Sequence, residues 1–354
     1  MKMDKKPRVL VVATSRKTRG GITSVIKAHE QGEQWRRYNC RWIETHIDKN
    51  AFIKVGMQMI ALLKYMFYLP WSDIVHLHLS GVTSSKRKKM FMSLALLFHK
   101  KIIVHFHAFS TNSTINGKYS NLYKYLFTNA DAVVVLSNYW RNAVNEKYNL
   151  EGKVKVIYNP CMIADYLQQY KKTKSILYAG TLNQRKGYAD FIAAFGKVAK
   201  KNLEWKIVFA GNGEIENGVR LAKELSIEDQ CVFLGWVTGD EKDKAYKEAS
   251  IFCLPSYAEG FPMAVLDAWA YGLPVITTPV GGIPDVAVDG ENMLLFEPGD
   301  IDKLAGCLER MIADENLRAD IGKESLKLAA TTFNVTTICR QIGELYEELI
   351  LERN

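Results

Sequence analysis

Acidic side chains, a glycine and a predicted helix start occur together between residues 254 and 274. A strand-like run ends at Ser256, Glu259 and Gly260 follow, and Pro262 suits the first turn of a helix. Amide groups at a helix start have no partner within the helix, and they attract phosphate groups. The pattern therefore indicates a diphosphate site beside Gly260.

Asp267 lies about one helical turn inside this helix, so a carboxylate flanks the predicted diphosphate site on each side. A carboxylate accepts hydrogen bonds from hydroxyl groups, which suits Glu259 and Asp267 to sugar hydroxyls. The residues alone leave a second interpretation open, in which Glu259 is a capping carboxylate and Asp267 an exposed helix acid.

The elements that must position these residues alternate between strands and helices. β-Branched runs separated by helical spacing predict six strands in the first half and six in the second. The first six are Val9–Thr14, Arg41–Ile47, Ile74–Leu79, Ile102–His107, Val133–Ser137 and Val154–Asn159. The second six are Ser175–Gly180, Trp205–Gly211, Cys231–Trp236, Ile251–Ser256, Val275–Thr278 and Met293–Phe296. This alternation is typical of α/β proteins with doubly wound parallel sheets.

A chain of 354 residues is long enough for two domains. We expect two Rossmann-like domains, 1–165 and 166–335, that face a cleft, with a linker near Cys161–Lys174. Residues 336–354 carry a helical pattern with one apolar face, which we expect to pack against another element such as the first domain.

The ordered motifs of the chain resemble those of the retaining glycosyltransferases of family 4, which have the GT-B fold. The Glu259 segment resembles the family's E-x7-E signature, and the likeness covers nearly the whole chain. In the second half it rests on residues 179–182, 185–187, 210–213, 233–236 and 281–285. In the first half it rests on the less distinctive Gly20-Gly21, His105-Phe106-His107 and residues 156–160.

The resemblance implies an acceptor-side first domain, a donor-side second domain and a role for each matching residue. Glu259 would face the donor sugar, Asp267 the ribose, and Lys186 the diphosphate. The implied catalytic residues are Glu259, Lys186, Arg185 and His107. The implied donor-binding residues are Gly20, Gly21, Gly180, Gly211, Gly235, Gly260, Phe261, Pro262, Met263 and Asp267.

Two positions depart from the family pattern. Thr181 stands where the family usually has a second phosphate-binding arginine, and Arg185 is the expected substitute. Asp267 replaces a glutamate, which keeps the charge and shortens its reach. The resemblance further implies that the leaving phosphate helps to deprotonate the acceptor, so we expect no protein base, no metal and no cofactor besides the sugar donor itself.

Several of these residues also have a purely structural interpretation. Lys186 could be a solvated lysine, Gly20-Gly21 a plain tight turn, and His107 a buried core histidine. His76, His78 and His105 lie on similar strands, and we expect them to be core histidines.

Other cofactor patterns are incomplete. The run Gly211-Asn212-Gly213 has Glu216 where a dinucleotide-binding fingerprint has its third glycine. Asp300-Ile301-Asp302 follows Pro298-Gly299 and is better explained as a helix cap than as a metal ligand. The six cysteines show neither a C-x-x-C pair nor zinc spacing.

The charge is concentrated in the first half. Residues 1–150 hold 24 of the 47 Lys and Arg residues but only 8 of the 38 Asp and Glu residues, a net charge of +16, against −7 for the remainder. Aromatic and aliphatic residues accompany the cations in 35–38, 86–91 and 99–101. An anionic membrane surface, nucleic acid and a plain solvated face all suit such a surface, but no nucleic-acid-binding motif is present.

No apolar run in the sequence predicts a membrane span, because Lys64 interrupts Val55–Trp71 and Met90–Phe98 is too short. No signal peptide is expected either, so we place the protein in the cytoplasm, peripheral to the inner face of the membrane. We expect a retaining, metal-independent transferase that builds a bacterial surface polysaccharide on a glycan or lipid-linked acceptor. The alternative is a catalytically silent nucleotide-sugar-binding protein.

Overall fold

A computed structural model describes residues 6–163 and 171–352. The chain forms two α/β units, of which unit 1 comprises residues 1–160 and 335–354 and unit 2 comprises residues 161–334. Each unit contains one six-stranded parallel sheet, so the predicted fold class is confirmed. The boundary falls five residues before the predicted one, and 164–170 of the predicted linker lie outside the described residues.

The sheet of unit 1 has the strand order β2-β1-β3-β4-β5-β6. Its strands are β1 (Val9–Ala13), β2 (Arg41–Glu44), β3 (Ile74–Leu79), β4 (Lys101–Phe106), β5 (Ala132–Val135) and β6 (Val154–Val156). Its helices are α1 (Gly21–His29), α2 (Glu33–Arg37), α3 (Ala51–Tyr68), α4 (Val82–Leu97), α5 (Ser120–Thr128), α6 (Asn138–Tyr148) and, from the end of the chain, α13 (Val335–Leu351). The order reverses between β1 and β3, where a doubly wound sheet opens a crevice.

Helix α13 returns to unit 1 because its apolar face completes a core cluster there. Ile338, Ile342 and Leu345 pack in that cluster with residues of β1 and β5. The Tyr346 hydroxyl also lies 2.7 Å from Nδ1 of His76. Exposed ion pairs such as Arg37–Glu347 border this contact.

The sheet of unit 2 has the strand order β12-β11-β10-β7-β8-β9, with its reversal between β7 and β10. Its strands are β7 (Ser175–Ala179), β8 (Lys206–Ala210), β9 (Cys231–Gly235), β10 (Ile251–Leu254), β11 (Val275–Thr277) and β12 (Leu294–Leu295). Its helices are α7 (Tyr188–Ala199), α8 (Ile215–Glu224), α9 (Asp240–Glu248), α10 (Met263–Ala270), α11 (Ile301–Ala313) and α12 (Glu315–Ala330). Apart from Ser175, strands β7 and β10 consist of apolar and aromatic residues, and they are buried along most of their length, as expected for strands covered on both faces.

Helix α3 is the longest helix of the described residues. It begins where the Asn50 side chain accepts a hydrogen bond from the Ile53 amide, and it ends before Pro70. By length and composition, Ala51–Trp71 is apolar enough to cross a membrane. Length and composition alone therefore do not test the expectation that this segment does not span a membrane.

Candidate active site

Glu259 lies just beyond the end of β10, buried within a set of polar contacts. Its Oε1 atom lies 2.5 Å from Nζ of Lys186 and accepts hydrogen bonds from Nη1 of Arg185 at 3.1 Å and Oγ of Ser256 at 2.8 Å. Lys186 and Arg185 follow β7, the strand that neighbours β10 at the reversal of the sheet. The structure thus brings three of the four predicted catalytic residues together at the ligand-binding position of a doubly wound sheet.

A close approach between two loops makes this contact possible. A Cβ atom on Gly187 would lie 2.0 Å from the carbonyl oxygen of Pro255, and Gly187 has a φ of 66°. The Tyr257 amide donates to the carbonyl of Arg185 at 2.7 Å, which ties the same loops together. Glycine is needed at position 187 for both steric and conformational reasons, and it holds the two cations beside Glu259.

The charges around Glu259 leave one positive charge in excess. Burial raises the pKa of Glu259, but the charges of Lys186 and Arg185 and the hydrogen bonds from Lys186 and Ser256 outweigh burial and hold the pKa below its usual value. Glu259 is therefore ionised at neutral pH, and two cations face one carboxylate. Such a site suits a ligand that is itself negatively charged.

The residues after Glu259 present backbone groups. The first intrahelical bonds of α10 are donated by Val265 and Leu266 to the carbonyl of Pro262, so the amides of Met263 and Ala264 precede the hydrogen-bonded part of the helix. The Phe261 ring is buried, 4.9 Å from the ring of Phe333. Phe261 can therefore meet a ligand only through its backbone.

A second loop packs directly on Gly260. The Gly282 amide donates to the Gly260 carbonyl at 2.8 Å, and a Cβ atom on Gly281 would lie 2.4 Å from the carbonyl oxygen of Glu259. The Gly281-Gly282 motif thus packs against the backbone of Glu259 and Gly260 and helps to fix the conformation of that loop.

Asp267 is paired with a residue that sequence reasoning missed. Its Oδ2 atom lies 2.7 Å from Nζ of Lys242 in α9, and both side chains are partly exposed. The two residues are 25 positions apart, and no motif links them. The pairing leaves the second predicted carboxylate locally neutralised.

The remaining predicted donor-binding glycines of unit 2 lie at the carboxyl ends of its strands. Gly180 follows β7 beside the side chain of Lys186, Gly211 follows β8, and Gly235 is the last residue of β9. Thr181, at the position of the expected arginine, has its hydroxyl 3.5 Å from Oδ1 of Asn212. Arg185 lies beside Glu259, and its role as the substitute for the missing arginine stays a prediction.

His107, the fourth predicted catalytic residue, lies in unit 1 at the end of a histidine cluster. Its Nε2 atom is 2.9 Å from Nδ1 of His78, and its ring stacks 4.3 Å from that of His105. His76 and His29 complete the cluster, and both are buried with His78 and His105. His76, His78 and His105 are core histidines, as expected, but His107 forms part of the same group.

Burial keeps these imidazoles neutral. It lowers the pKa of His29 to about 4 and, with smaller contributions from His29 and Lys88, that of His107 to about 3. The pKa values of His76, His78 and His105 lie well below the ordinary value for the same reason. At neutral pH His107 is an uncharged hydrogen-bonding group.

Three of the histidines are also the candidate metal ligands. Ring nitrogens of His76, His78 and His105 lie within 4.8 Å of one another. The planes of His76 and His105 are 7° apart, with ring centroids at 5.4 Å. Stacked imidazoles direct their lone pairs side by side, whereas a bound metal needs them to converge, so the donor set does not fit. The absence of a metal from the reaction stays a prediction.

Gly20 and Gly21 lie at the start of α1, after β1. They occupy the same edge of the unit 1 sheet as His107, which follows β4, with β3 between the two strands. Their role in donor binding stays a prediction.

The predicted basic clusters are only partly free surface. Lys88 is fully buried, and Nζ of Lys100 donates to the carbonyls of Pro70 and Ser72. Lys86 and Lys89 lie over the rings of Tyr119 and Tyr125. Several lysines of the predicted basic clusters therefore interact with other groups of unit 1.

Two family models match the chain. Glycosyl transferases group 1 matches residues 163–328, and Glycosyltransferase Family 4 matches residues 49–162. The first match covers most of unit 2 and the second lies within unit 1 and its junction with unit 2.

Individual proteins give the same result. An uncharacterized glycosyltransferase of Methanocaldococcus jannaschii is 30% identical over 261 residues, which cover 72% of this chain and 71% of that protein. CapM of Staphylococcus aureus, a capsular polysaccharide biosynthesis glycosyltransferase, is 29% identical over 177 residues, 49% of this chain and 46% of CapM. The crystal structure of Anabaena HepE in complex with UDP-glucose has a TM-score of 0.77 at 18% identity, covering 96% of this chain and 99% of that one, and it shares the fold. The chain therefore belongs to the glycosyl transferases group 1, of the family 4 type with the GT-B fold, and is a hexosyl-type glycosyltransferase.

Proposed function

We propose that the protein transfers a sugar, with retention and without a metal, from a nucleoside diphosphate to a glycan or lipid-linked acceptor. The acceptor would belong to a bacterial surface polysaccharide such as capsule, exopolysaccharide or lipopolysaccharide. One observation carries the proposal: buried Glu259 contacts both Lys186 and Arg185 at the reversal of the unit 2 sheet.

The excess positive charge of this site suits the departure of a nucleoside diphosphate. Negative charge grows on the diphosphate as the sugar bond breaks, and fixed cations stabilise that state more than the bound substrate. Lys186 and Arg185 would supply this stabilisation, with the amides at the start of α10. Glu259 would accept hydrogen bonds from the donor sugar, and Asp267 from the ribose.

The relatives guide the choice of substrates. HepE was solved with UDP-glucose, so UDP-sugars are the first donors to test. CapM acts in capsular polysaccharide biosynthesis, which supports a growing surface glycan as the acceptor. The basic first half supports a cytoplasmic protein that is peripheral on the anionic inner face of the membrane, with no nucleic acid as partner.

The decisive experiment measures transfer and donor hydrolysis by Glu259→Ala and Lys186→Ala, with chelator present. We expect each variant to lose at least about 100-fold in kcat, the scale of losing one electrostatic contact to a transition state. Glu309→Ala and Lys201→Ala remove the members of an exposed ion pair in the same unit and should keep wild-type rates.

Two results would contradict the proposal. One is full activity in both site variants when thermal unfolding shows them folded. The other is an inverted anomeric configuration in the product, as read by NMR of the initial sugar linkage.

A second candidate function is catalytically silent binding of a nucleotide sugar. Thr181 and the neutralised Asp267–Lys242 pair favour it, because both weaken the expected donor site. Selective thermal stabilisation by one nucleoside diphosphate, without transfer or hydrolysis under any condition, would support this function instead.

A further inference from the structure

Helix α3 exposes its most apolar side. Ala61 and Tyr65 are its buried residues. The Tyr65 hydroxyl donates to the Phe91 carbonyl at 2.8 Å, and the two rings pack 4.9 Å apart. The side of α3 that holds the helix to unit 1 is therefore narrow.

The opposite side carries a stripe of large apolar residues. Phe52, Val55, Met59, Leu63 and Met66 recur every three or four positions, which places them on one face of a helix. Phe52 is 91% exposed and Leu63 is 63% exposed. A surface helix of a soluble domain usually places polar residues on its exposed face, whereas the exposed face of α3 is apolar.

The apolar surface continues beyond the helix. Phe67 and Trp71 are exposed at its end. Lys100 donates hydrogen bonds to the carbonyls of Pro70 and Ser72, which places the end of α4 near the end of α3. Leu97 and Phe98 are exposed there. The surface therefore spans more than one element.

The surrounding charge has one sign. Residues 49–130 contain eleven Lys and Arg residues and a single acid, Asp73. Lys49, Lys54 and Lys64 are exposed on or beside α3, and within residues 6–163 and 171–352 none of them forms an ion pair. A partner for this surface must accept apolar side chains and carry negative charge.

We propose that α3 is an interfacial membrane helix, which lies parallel to an anionic phospholipid bilayer and inserts its apolar stripe between the headgroups. This inference rests on the proposed membrane-side acceptor and deepens it by naming the surface. Lysines beside the stripe would meet the lipid phosphates, as in other amphipathic helices that bind membranes.

The contacts of α3 exclude a transmembrane arrangement within the folded unit. Spanning would withdraw Tyr65 and Ala61 from the core and break the bond to Phe91. Pairing of α3 with the same helix of a second copy is disfavoured as well, because it would bring Lys54 and Lys64 close to the same lysines of the copy, and like charges repel. A bilayer satisfies both the apolar and the charged groups.

The test uses the full chain and sedimentation with vesicles of phosphatidylcholine, with or without about 30% phosphatidylglycerol. We expect binding to the anionic vesicles that persists in part at about 0.5 M salt, because apolar insertion is not screened. The triple variant Phe52→Gln, Met59→Gln, Leu63→Gln should lower the partition coefficient at least about tenfold. Brominated lipid should quench wild-type fluorescence more than that of Trp71→Phe.

A matched control removes exposed apolar residues elsewhere. Leu203→Gln, Leu225→Gln and Val288→Gln change exposed side chains of unit 2 and should leave vesicle binding unchanged. Lys49→Gln, Lys54→Gln and Lys64→Gln together should reduce binding to anionic vesicles to the level of neutral ones. All variants should keep UDP-sugar hydrolysis in solution, which separates this test from that of the proposed function.

Three outcomes would overturn the inference. The first is undiminished vesicle binding by the folded apolar triple variant. The second is binding by the wild type that disappears completely at high salt, which would indicate charge attraction alone. The third is lipid-free self-association that the triple variant abolishes, which would assign the stripe to a second copy of the chain.

Discussion

Near the ends of β7 and β10, unit 2 holds its two predicted donor-binding carboxylates in ion pairs, Glu259 with Lys186 and Asp267 with Lys242. The corresponding edge of the unit 1 sheet holds neutral imidazoles, and the nearby Lys88 is buried without an acidic partner among the described residues. All seven histidines of the chain lie in unit 1. Both sheets are parallel and doubly wound, although their strand orders differ, and they bury their polar groups differently. Their responses to pH and to mutation can therefore be measured separately.

Mild acid tests the difference most strongly. The pKa of each of the five clustered histidines is lower in the folded state than the ordinary value of 6.5, so the unfolded chain binds more protons below that pH. Stability is complete above pH 6.5 and falls as the pH drops toward the folded-state pKa values. At about pH 5.5 the loss is on the order of 1 kcal/mol per histidine and roughly 5 kcal/mol in total.

Calorimetry or hydrogen exchange at pH 7.5 and 5.5 checks this. Unit 1 should unfold before unit 2, and His99→Asn, a change at an exposed histidine, should not alter the difference. Equal acid sensitivity of both units would remove the contrast between them.

Lys88→Met should stabilise unit 1. Burial, with a smaller effect of Arg87, lowers the pKa of Lys88 to about 7, so at neutral pH the folded state carries the cost of a buried cation. We expect a gain of about 3 kcal/mol in the free energy of unfolding at pH 7, shrinking toward pH 10 as the unfolded lysine loses its proton. Denaturant unfolding of the wild type and of Lys88→Met at pH 7 and pH 10 measures this gain. A loss of stability in the variant at pH 7 would show that contacts in the folded state offset the cost of burying the Lys88 cation.

Gly187→Ala should damage unit 2 through its backbone. The added methyl would overlap the Pro255 carbonyl at a φ of 66°, for a cost of about 3 kcal/mol. Gly152→Ala is the control, because Gly152 also has a positive φ of 82° but open space around its Cβ position. If the two variants show the same melting temperature, the close approach of the two loops is not required for stability.

Lys242→Ala should give the smallest effect. It frees Asp267 from the cation that neutralises it and does not touch Glu259, so we expect the donor KM to fall about fivefold, or about 1 kcal/mol, with kcat unchanged. Lys244→Ala, on the same helix and paired only with Glu248 in an exposed contact, should leave KM unchanged. A fall in kcat would instead place Lys242 among the groups that act on the reacting sugar.

Local sequence was sufficient for the fold, since the twelve strands of the described residues are short segments rich in apolar residues that alternate with helical segments. It was not sufficient for the site. The contact of Lys186 with Glu259 joins residues 73 positions apart, and only the family resemblance suggested it. The Asp267–Lys242 pair and the exposed stripe of α3 were missed, because pairing and exposure depend on tertiary packing that a periodic pattern does not reveal.

The return of α13 to unit 1 has a consequence for biosynthesis. Residues 161–334 are made as one continuous segment, so unit 2 can close its core as soon as they have left the ribosome. Unit 1 begins earlier but lacks Ile338, Ile342 and Tyr346 until all residues of unit 2 have been made. Synthesis of unit 1 therefore begins first, but its folding is completed last. While unit 2 is being synthesised, the nascent unit 1 carries an open apolar face that a chaperone can occupy.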